Sequence, residues 1–263
     1  MVIPMLIIDH ISIHYKSKKE IVPVISNLSL QIPQGEALAI LGHSGCGKST
    51  LVNALAGTIA IESGSIDYRK DNKQLPLSPK LHKIGLIPQN CGLLPWKTVK
   101  ENCLLPLKIR KQQIRDTQKE EIAKIYASLN IIDILDKYPN QLSGGQVQRA
   151  ALARAFIIKP DLLLMDEPFS ALDAITREEA RELFLKVWRQ VRPTTILVTH
   201  SIEEALYLGN TIMVMGKHMG DVKYQMQNPY FGHLYPEDAE YLIIKKLLRE
   251  QLRTEAAGEE TVE

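Results

Sequence analysis

The segment from Gly42 to Thr50 reads Gly-His-Ser-Gly-Cys-Gly-Lys-Ser-Thr and constrains the fold of this chain more than any other feature. It matches the pattern G-x-x-x-x-G-K-[ST], and it lies between the apolar run Ala37–Leu41 and a predicted helix from about Gly47 to Ala56. Glycines let successive N–H groups converge on phosphate oxygens, and the helix N-terminus adds partial positive charge. A chance glycine-rich turn is the alternative, but the flanking strand and helix favour a phosphate-binding loop, which we call the phosphate loop.

Two side chains of the phosphate loop carry the predicted chemistry. We expect Lys48 to reach the β- and γ-phosphates of a nucleotide and the hydroxyl of Ser49 to ligate Mg²⁺. Cys46 is predicted to be a small filler of the loop. The predicted nucleotide contacts of the loop are Gly42, His43, Ser44, Gly45, Cys46, Gly47, Lys48, Ser49 and Thr50.

The pattern of the remaining chain predicts an α/β fold with a parallel sheet, and the phosphate loop makes this fold a predicted P-loop ATPase core. Leu6–Ile13 and Val22–Ile32 predict strands of an N-terminal antiparallel β subdomain, and buried strands are expected at Ala37–Leu41, Ile84–Ile87, Leu162–Met165, Thr195–Thr199 and Thr211–Met215. A Lys-, Arg-, Gln- and Glu-rich stretch at roughly 100–158 predicts helices inserted into this core. The expected division places the nucleotide-binding domain at 1–253, with core at 1–91 and 159–235, helical subdomain at 92–158, C-terminal helix at 236–253 and acidic flexible tail at 254–263.

Composition limits the compartment and the partners. The 263 residues carry a formal net charge of +2 with both signs intermixed, which argues against nucleic acid as a partner. Three cysteines without C-x-x-C spacing (Cys46, Cys91 and Cys103) argue against a disulfide framework or a zinc site. The N-terminus lacks the features of a signal peptide, and no apolar run approaches the roughly 20 residues that span a bilayer. We therefore expect a cytoplasmic protein that reaches a membrane only through a partner.

Two acidic residues follow the apolar strand at Leu162–Met165. Asp166 at the strand end suits a contact with Mg²⁺, directly or through water. Glu167 lies one residue further, where it can polarise a water that attacks the γ-phosphate, and Pro168 ends the strand. A solvated acidic turn is the alternative for the Asp-Glu pair alone.

The segment Leu142-Ser143-Gly144-Gly145-Gln146 precedes a helix predicted from Val147 to Ile158. A Ser N-cap followed by two glycines presents free N–H groups at a helix N-terminus, which predicts a second anion site, although a simple helix cap is the alternative. With this segment, which we call the signature, the chain resembles the ATP-binding cassette (ABC) family. The resemblance covers nearly the whole chain and has the family's motifs in the family's order.

The resemblance implies roles for several further residues. Tyr15 matches the aromatic residue that stacks on adenine, with strand packing as the alternative. Gln89 matches the glutamine that touches Mg²⁺ and senses the transport domain, and His200 matches the histidine that holds the γ-phosphate. Asp173 closes the segment Ser170–Asp173, which matches the loop that joins two catalytic subunits. The implied sites are therefore Glu167 and His200 for catalysis; Ser49, Gln89 and Asp166 for the metal; and Tyr15, the phosphate loop, Gln89, Ser143, Gly144, Gly145, Gln146 and Asp173 for ATP.

The resemblance also implies partners. Two copies of the chain would sandwich two ATP molecules, each between the phosphate loop of one copy and the signature of the other. Transmembrane permease subunits, with an extracytoplasmic solute-binding protein, would hold the dimer at the cytoplasmic face of the membrane. We expect closure on ATP and reopening after hydrolysis to drive the permease.

The pattern Leu93-Leu94-Pro95-Trp96-Lys97-Thr98-Val99-Lys100-Glu101-Asn102 looks like the nitrate, sulfonate and taurine importer branch. Ser201 departs from that branch, which usually has Asp after the histidine. Importers of methionine, phosphonate or a thiamine precursor remain open, and the lack of a long C-terminal domain disfavours sugar and polyamine importers. A non-transport cassette ATPase and a generic P-loop ATPase or kinase are the other classes. Trp96 is predicted to form a groove for a helix of the permease, with a buried core position as the alternative.

Overall fold

The computed structural model describes residues 4–16, 20–70, 73–217, 219–233 and 238–253. Its strands are β1 Pro4–Lys16, β2 Ile21–Pro33, β3 Ala37–Leu41, β4 Ser63–Lys70, β5 Lys73–Pro76, β6 Ile84–Ile87, β7 Leu162–Asp166, β8 Thr194–Thr199, β9 Thr211–Met215 and β10 Val222–Gln227. Its helices are α1 Lys48–Leu55, α2 Val99–Ile109, α3 Asp116–Ser128, α4 Gly144–Ile157, α5 Ala174–Val191, α6 Ile202–Leu208 and α7 Ala239–Arg253, with 3₁₀ turns at Ile132–Ile134 and Pro139–Gln141. The chain forms two compact units: the first comprises the described parts of Met1–Leu81 and Thr194–Glu263, and the second is His82–Pro193.

The first unit contains an antiparallel sheet with the strand order β2-β1-β4-β5. The long strands β1 and β2 pair antiparallel along most of their length, and the alternating residues Leu6, Ile8, Ile11 and Ile13 of β1 are buried. The predicted antiparallel N-terminal subdomain is therefore confirmed. Strands β4 and β5 were not predicted, because their sequences are mainly polar and every residue of β5 is exposed.

The same unit contains a second group of strands in the order β10-β9-β3-β8. Strand β3 pairs parallel with both β8 and β9, and every residue of these three strands is buried. This confirms the prediction of parallel strands covered on both faces. In the register, Leu41 pairs with Thr199 of β8 and with Val214 of β9, so the residues that follow these strands leave at one edge.

The second unit is built from the parallel pair β6 and β7 with helices α2 to α5. Three buried aromatic rings join α4, α5 and the turn after β7: the ring centroid of Phe184 lies 5.8 Å from that of Phe156 and 6.3 Å from that of Phe169. This packing fixes the helix that begins with the signature against the turn that follows the acidic pair.

Several element bounds differ from those predicted. The helical stretch at 100–158 is divided into α2, α3 and α4, and α4 begins at Gly144 rather than Val147, because Ser143 caps it. The predicted helical subdomain 92–158 lies inside the second unit, which also contains β6, β7 and α5. The tail 254–263 lies outside the described residues, and in the described part of the chain no helix is both long and apolar enough to cross a membrane.

Candidate functional site

The phosphate loop connects β3 to α1 by a backbone that only glycine tolerates at two points. Gly47 has φ of 100°, and a Cβ added there would lie 3.2 Å from side-chain atoms of Val24 and Ile25. A Cβ added at Gly42 would lie 2.7 Å from Cys46 Sγ and 2.8 Å from the main-chain oxygen of Met215. By contrast, a Cβ at Gly45 would meet no heavy atom within 4 Å. The loop is therefore packed against β2 and β9 on one side and open at Gly45.

Lys48 is buried and folds back across the phosphate loop. Its Nζ donates hydrogen bonds to the carbonyl oxygens of Gly42 at 2.8 Å and His43 at 2.7 Å, and it lies 3.6 Å from Cys46 Sγ. Cys46 is buried, as predicted for a filler of the loop, whereas Ser49 is exposed. The arrangement concentrates one cation and the start of α1 at an open turn, which suits a polyphosphate.

The C-terminal helix α7 contacts the phosphate loop, which sequence reasoning did not predict. His43 Nε2 lies 2.6 Å from the carbonyl oxygen of Leu252, and a hydrogen bond to this oxygen requires the proton on Nε2. About two turns earlier in α7, Lys245 Nζ lies 2.6 Å from Glu203 Oε1 on α6. Helix α7 therefore links the phosphate loop to the segment that follows His200.

Tyr15 and His200 belong to the same unit as the phosphate loop. The Tyr15 hydroxyl lies 3.3 Å from Thr50 Oγ1, and the side chain is 47% exposed, so its ring is available for stacking. His200 is exposed directly after β8, the strand that pairs with β3. Ser201 accepts a hydrogen bond from the N–H of Glu204 at 3.2 Å and caps α6, so the departure from Asp preserves an N-cap side chain.

The second unit brings Gln89, Asp166 and Glu167 to one edge of its strand pair. Ile87 of β6 pairs with Met165 of β7, so Gln89 follows one strand and the acidic residues complete and follow the other. Glu167 has φ of 46°, an unfavourable region for a residue with a Cβ, and its carbonyl accepts hydrogen bonds from Ser170 N at 3.2 Å and Ser170 Oγ at 2.9 Å. A strained backbone held by a turn is common where a side chain must point in one direction.

The signature forms the N-terminus of α4, which begins three residues earlier than predicted. Ser143 Oγ accepts a hydrogen bond from Gln146 N at 3.4 Å, and Ser143 N donates to Gln146 Oε1 at 3.0 Å, forming a capping box. Ser143 and Gly144 are exposed, whereas Gly145 is buried. An added Cβ at Gly145 would lie only 2.5 Å from Thr176 Cγ2 at the start of α5.

Asp173 caps α5 beside the signature. Its Oδ1 accepts a hydrogen bond from Thr176 N at 3.1 Å, and hydrogen bonds from Thr176 hold the pKa of the Asp173 carboxyl below its ordinary value. Because Gly145 approaches Thr176, the structure places the predicted inter-subunit segment Ser170–Asp173 next to the signature.

Sequence reasoning missed the role of Asn102 in the loop between β6 and α2. This fully buried amide donates from Nδ2 to the carbonyls of Leu94, Lys97 and Thr98 at 3.0–3.1 Å, and its Oδ1 accepts from Leu94 N at 2.7 Å. Trp96 lies within the loop so fixed and is 69% exposed, so the alternative of a buried core position is wrong. Asn102 was visible in the sequence only as the last residue of a motif.

Comparison with known proteins identifies the family to which the chain is similar. A family profile described as ABC transporter matches residues 25–170. The chain is 36% identical to the nitrate import ATP-binding protein NrtD of Synechococcus elongatus, over 88% of this chain and 82% of that protein. It is 38% identical to the aliphatic sulfonates import ATP-binding protein SsuB of Bacillus cereus, over 85% and 86%. It is 43% identical to the Fe(3+) ions import ATP-binding protein FbpC of Fusobacterium nucleatum, over 78% and 56%.

A solved structure is similar over most of the chain. A dimeric ATP-binding cassette in a post-hydrolysis state, bound to ADP and Pi, aligns with a TM-score of 0.73 and 30% identity, covering 85% of this chain and 98% of that one. This similarity confirms the predicted α/β cassette fold.

Gly145 provides a test of the contact between the signature and α5. We expect Gly145→Ala to lower the free energy of unfolding by about 1–3 kcal/mol, because its new methyl overlaps Thr176 Cγ2. Gly144→Ala is the matched control, since its Cβ would lie at an ordinary 3.5 Å from Leu172 Cδ2. Urea denaturation of both variants measures the difference.

A second variant isolates the methyl group that causes the overlap. Thr176→Ser removes Cγ2, so Gly145→Ala should cost much less stability in the Thr176→Ser background than in the wild type. Equal losses in the two backgrounds would show that the clash does not govern the position of the signature.

Proposed function

The chain belongs to the ABC transporter family, and from this we propose that it is the ATP-hydrolysing subunit of an importer for a small solute of the sulfonate, nitrate or taurine type. The observation that carries the proposal is the presence, in one chain, of two helix starts suited to anions. One is the glycine turn with the buried Lys48 before α1, and the other is the capped, exposed Ser143-Gly144 turn before α4. An ordinary P-loop ATPase or kinase has no need of the second.

In the proposed site, ATP binds with its phosphates at the phosphate loop. On binding, Lys48 would release the carbonyl oxygens of Gly42 and His43 and donate to phosphate oxygens instead. Because phosphate oxygens are charged, they form stronger hydrogen bonds than neutral carbonyls do. The exposed ring of Tyr15 offers a stacking surface for adenine, and exposed His200 a donor for the γ-phosphate.

The residues proposed for Mg²⁺ form a suitable donor set. Ser49, Gln89 and Asp166 offer a hydroxyl, an amide and a carboxylate oxygen, the ligand types that this ion prefers. Among the described residues there is no cluster of three or more His, Cys, Asp or Glu, whereas Mg²⁺ beside a nucleotide needs only one or two protein carboxylates. Bound Mg²⁺ would neutralise charge that develops on the β- and γ-phosphate oxygens.

Glu167 is the proposed general base. The backbone of this residue is left-handed and is held by the hydrogen bonds from Ser170. Its half-buried carboxylate belongs to the same edge of the strand pair as Gln89. The carboxylate would orient the attacking water and accept its proton. His200 would hold the γ-phosphate during transfer.

We further propose that two copies complete two sites. The signature serine and Gly144 are exposed, so an ATP bound at the phosphate loop of a second copy can reach the start of α4. The similar solved structure is described as a dimer, which supports this arrangement. Asp173, beside the signature, would lie where the two copies meet.

The membrane partner would be a permease that contacts the exposed Trp96 loop at the cytoplasmic face, with an extracytoplasmic solute-binding protein delivering cargo. The relatives named for nitrate and sulfonate import support small oxyanions, as does the Leu-Leu-Pro-Trp motif. The similarity to an iron importer and the resemblance to methionine, phosphonate and thiamine-precursor importers give the alternatives.

We expect Glu167→Gln to bind ATP with nearly unchanged affinity but to lose most hydrolysis, about 10²-fold or more, because an amide cannot accept the proton of the attacking water. The ATP-bound protein should then accumulate as a dimer on gel filtration. Phosphate release and elution volume measure both effects, with Glu182→Gln on the exposed face of α5 as control. Turnover near that of the wild type would exclude the proposed base.

Mixed dimers test the shared site. Lys48→Ala should impair a chain's phosphate loop, and Ser143→Arg should impair its signature by placing a bulky side chain at the start of α4. A dimer with one chain of each kind combines both defects in one site and leaves the other site intact. The mixture with Mg-ATP should therefore cross-link or hydrolyse ATP better than either homodimer. If it does no better in both assays, the shared-site arrangement is wrong for this protein.

Uptake measurements test the cargo. The chain is co-expressed with the permease and solute-binding protein of its gene neighbourhood, and labelled solutes are offered to membrane vesicles containing ATP. We expect saturable uptake of taurine, another sulfonate or nitrate that Glu167→Gln abolishes. Uptake of methionine, a phosphonate, a thiamine precursor or ferric ion alone would replace the proposed solute class while leaving the ATPase assignment in place.

A further inference from the structure

Arg154 on α4 holds the main chain of the segment 88–98, which joins β6 to α2 and which we call the Gln89 loop. Its Nη2 donates a hydrogen bond to the carbonyl oxygen of Cys91, and its Nη1 donates to that of Gly92, both at 2.5 Å. The two consecutive carbonyls are brought to one guanidinium by a sharp turn, in which Cys91 has φ of 60° and Gly92 has φ of 56°. A left-handed Cys costs about 1–2 kcal/mol relative to the right-handed conformation, so the turn needs such compensating contacts.

The partners of Arg154 are unusual for a half-buried cation. Within the described part of the chain no ion pair is found for Arg154, and its two hydrogen bonds go to neutral carbonyls. Burial of the Arg154 guanidinium lowers its pKa below the ordinary value. A partly buried charge costs free energy unless it is well hydrogen-bonded. Loss of either hydrogen bond to the loop would therefore destabilise the guanidinium, which favours the arrangement in which both are made.

A second contact joins the same two elements. Cys91 Sγ donates to Gln148 Oε1 at 2.7 Å, and both side chains are buried. Gln148 lies just beyond the first turn of α4, near the signature, whereas Arg154 lies in the last turn. The loop is therefore fastened to α4 at two separate points along the helix.

We propose that Arg154 is a positioning residue for Gln89, and that it makes the Gln89 loop and the signature helix move as one body. The inference rests on the proposed function, in which Gln89 contacts the metal at one nucleotide and the start of α4 meets the nucleotide of the partner chain. Asn102 fixes the rest of the loop, from Leu94 to Thr98, so a movement imposed at Trp96 is carried to Gln89 and to α4 together. Arg154 itself touches neither nucleotide nor metal in this arrangement.

Amide hydrogen exchange tests the tether, by which we mean the two hydrogen bonds from Arg154 to the loop, independently of catalytic activity. Arg154→Met removes the two charge-assisted hydrogen bonds that hold the carbonyl groups of Cys91 and Gly92. The turn should then open more often, so the N–H groups of these two residues should exchange at least about tenfold faster than in the wild type. The N–H of Leu94, which is bonded to Asn102, is the internal control and should change much less. Arg189→Met on the exposed face of α5 is the matched control variant. Unchanged exchange at Cys91 and Gly92 would overturn the proposal.

Kinetics test whether the tether acts through Gln89. Arg154→Met should lower kcat about tenfold with ATP affinity changed less than about twofold, because the phosphate loop is untouched. The double variant Arg154→Met with Gln89→Ala should have a kcat within about twofold of that of Gln89→Ala alone, since both substitutions remove the contribution of Gln89 to kcat. Multiplicative losses would show that Arg154 has only a structural role and would overturn the proposal.

Two further results separate the possible failures. Arg154→Lys keeps the charge but not the forked geometry, so it should lose less kcat than Arg154→Met and again add nothing to Gln89→Ala; it carries the test if Arg154→Met does not fold. If Gln89→Ala hydrolyses ATP like the wild type, the positioning role is overturned while the ATPase assignment stands. If the wild type itself does not hydrolyse ATP, the proposed function fails, and hydrogen exchange still reports whether the tether exists.

Discussion

The close packing of the turn between β3 and α1 is the constraint on which the first unit depends. Gly42 leaves no room for a side chain beside Met215 of β9, and Gly47 leaves little beside Val24 and Ile25 of β2. The turn thereby fits between strands of both sheets in this unit, and Lys48 closes it from inside through two carbonyl contacts. Main-chain N–H groups can converge on a phosphate only if the turn has one shape, so the packing that fixes the turn also prepares the proposed phosphate site.

Two of the other predicted contact points, Ser143 and Asp173, cap helices. Side chains of Thr98, Ser143, Asp173 and Ser201 cap α2, α4, α5 and α6, each by accepting a hydrogen bond from an N–H in the first turn. A cap fixes the direction in which the preceding loop enters the helix. These caps therefore fasten the loops that precede α2, α4, α5 and α6 to the helices that follow them.

Both units also use long-range contacts to hold their functional loops. In the first unit, His43 joins the phosphate loop to the end of α7, and Lys245 joins α7 to α6. In the second unit, Arg154 and Asn102 hold the two halves of the Gln89 loop. These contacts fasten loops that carry predicted site residues to helices α2, α4 and α7, and they explain why the exposed Trp96 can occupy a well-defined position.

The local features of this protein can be predicted from its amino-acid sequence. The phosphate loop, the apolar strands β3, β6, β7, β8 and β9 and the cap at Ser143 were all predicted, because spacing and apolar runs encode turns, strands and helix starts within a few residues. Other features depend on tertiary packing: the exposure of Trp96, the polar strands β4 and β5, the approach of Gly145 to Thr176 and the contacts of His43 and Arg154. These features join segments from 31 to 209 positions apart, or depend on which face a neighbouring element covers. No local pattern records such pairings, because they arise from how complete helices and strands pack against one another.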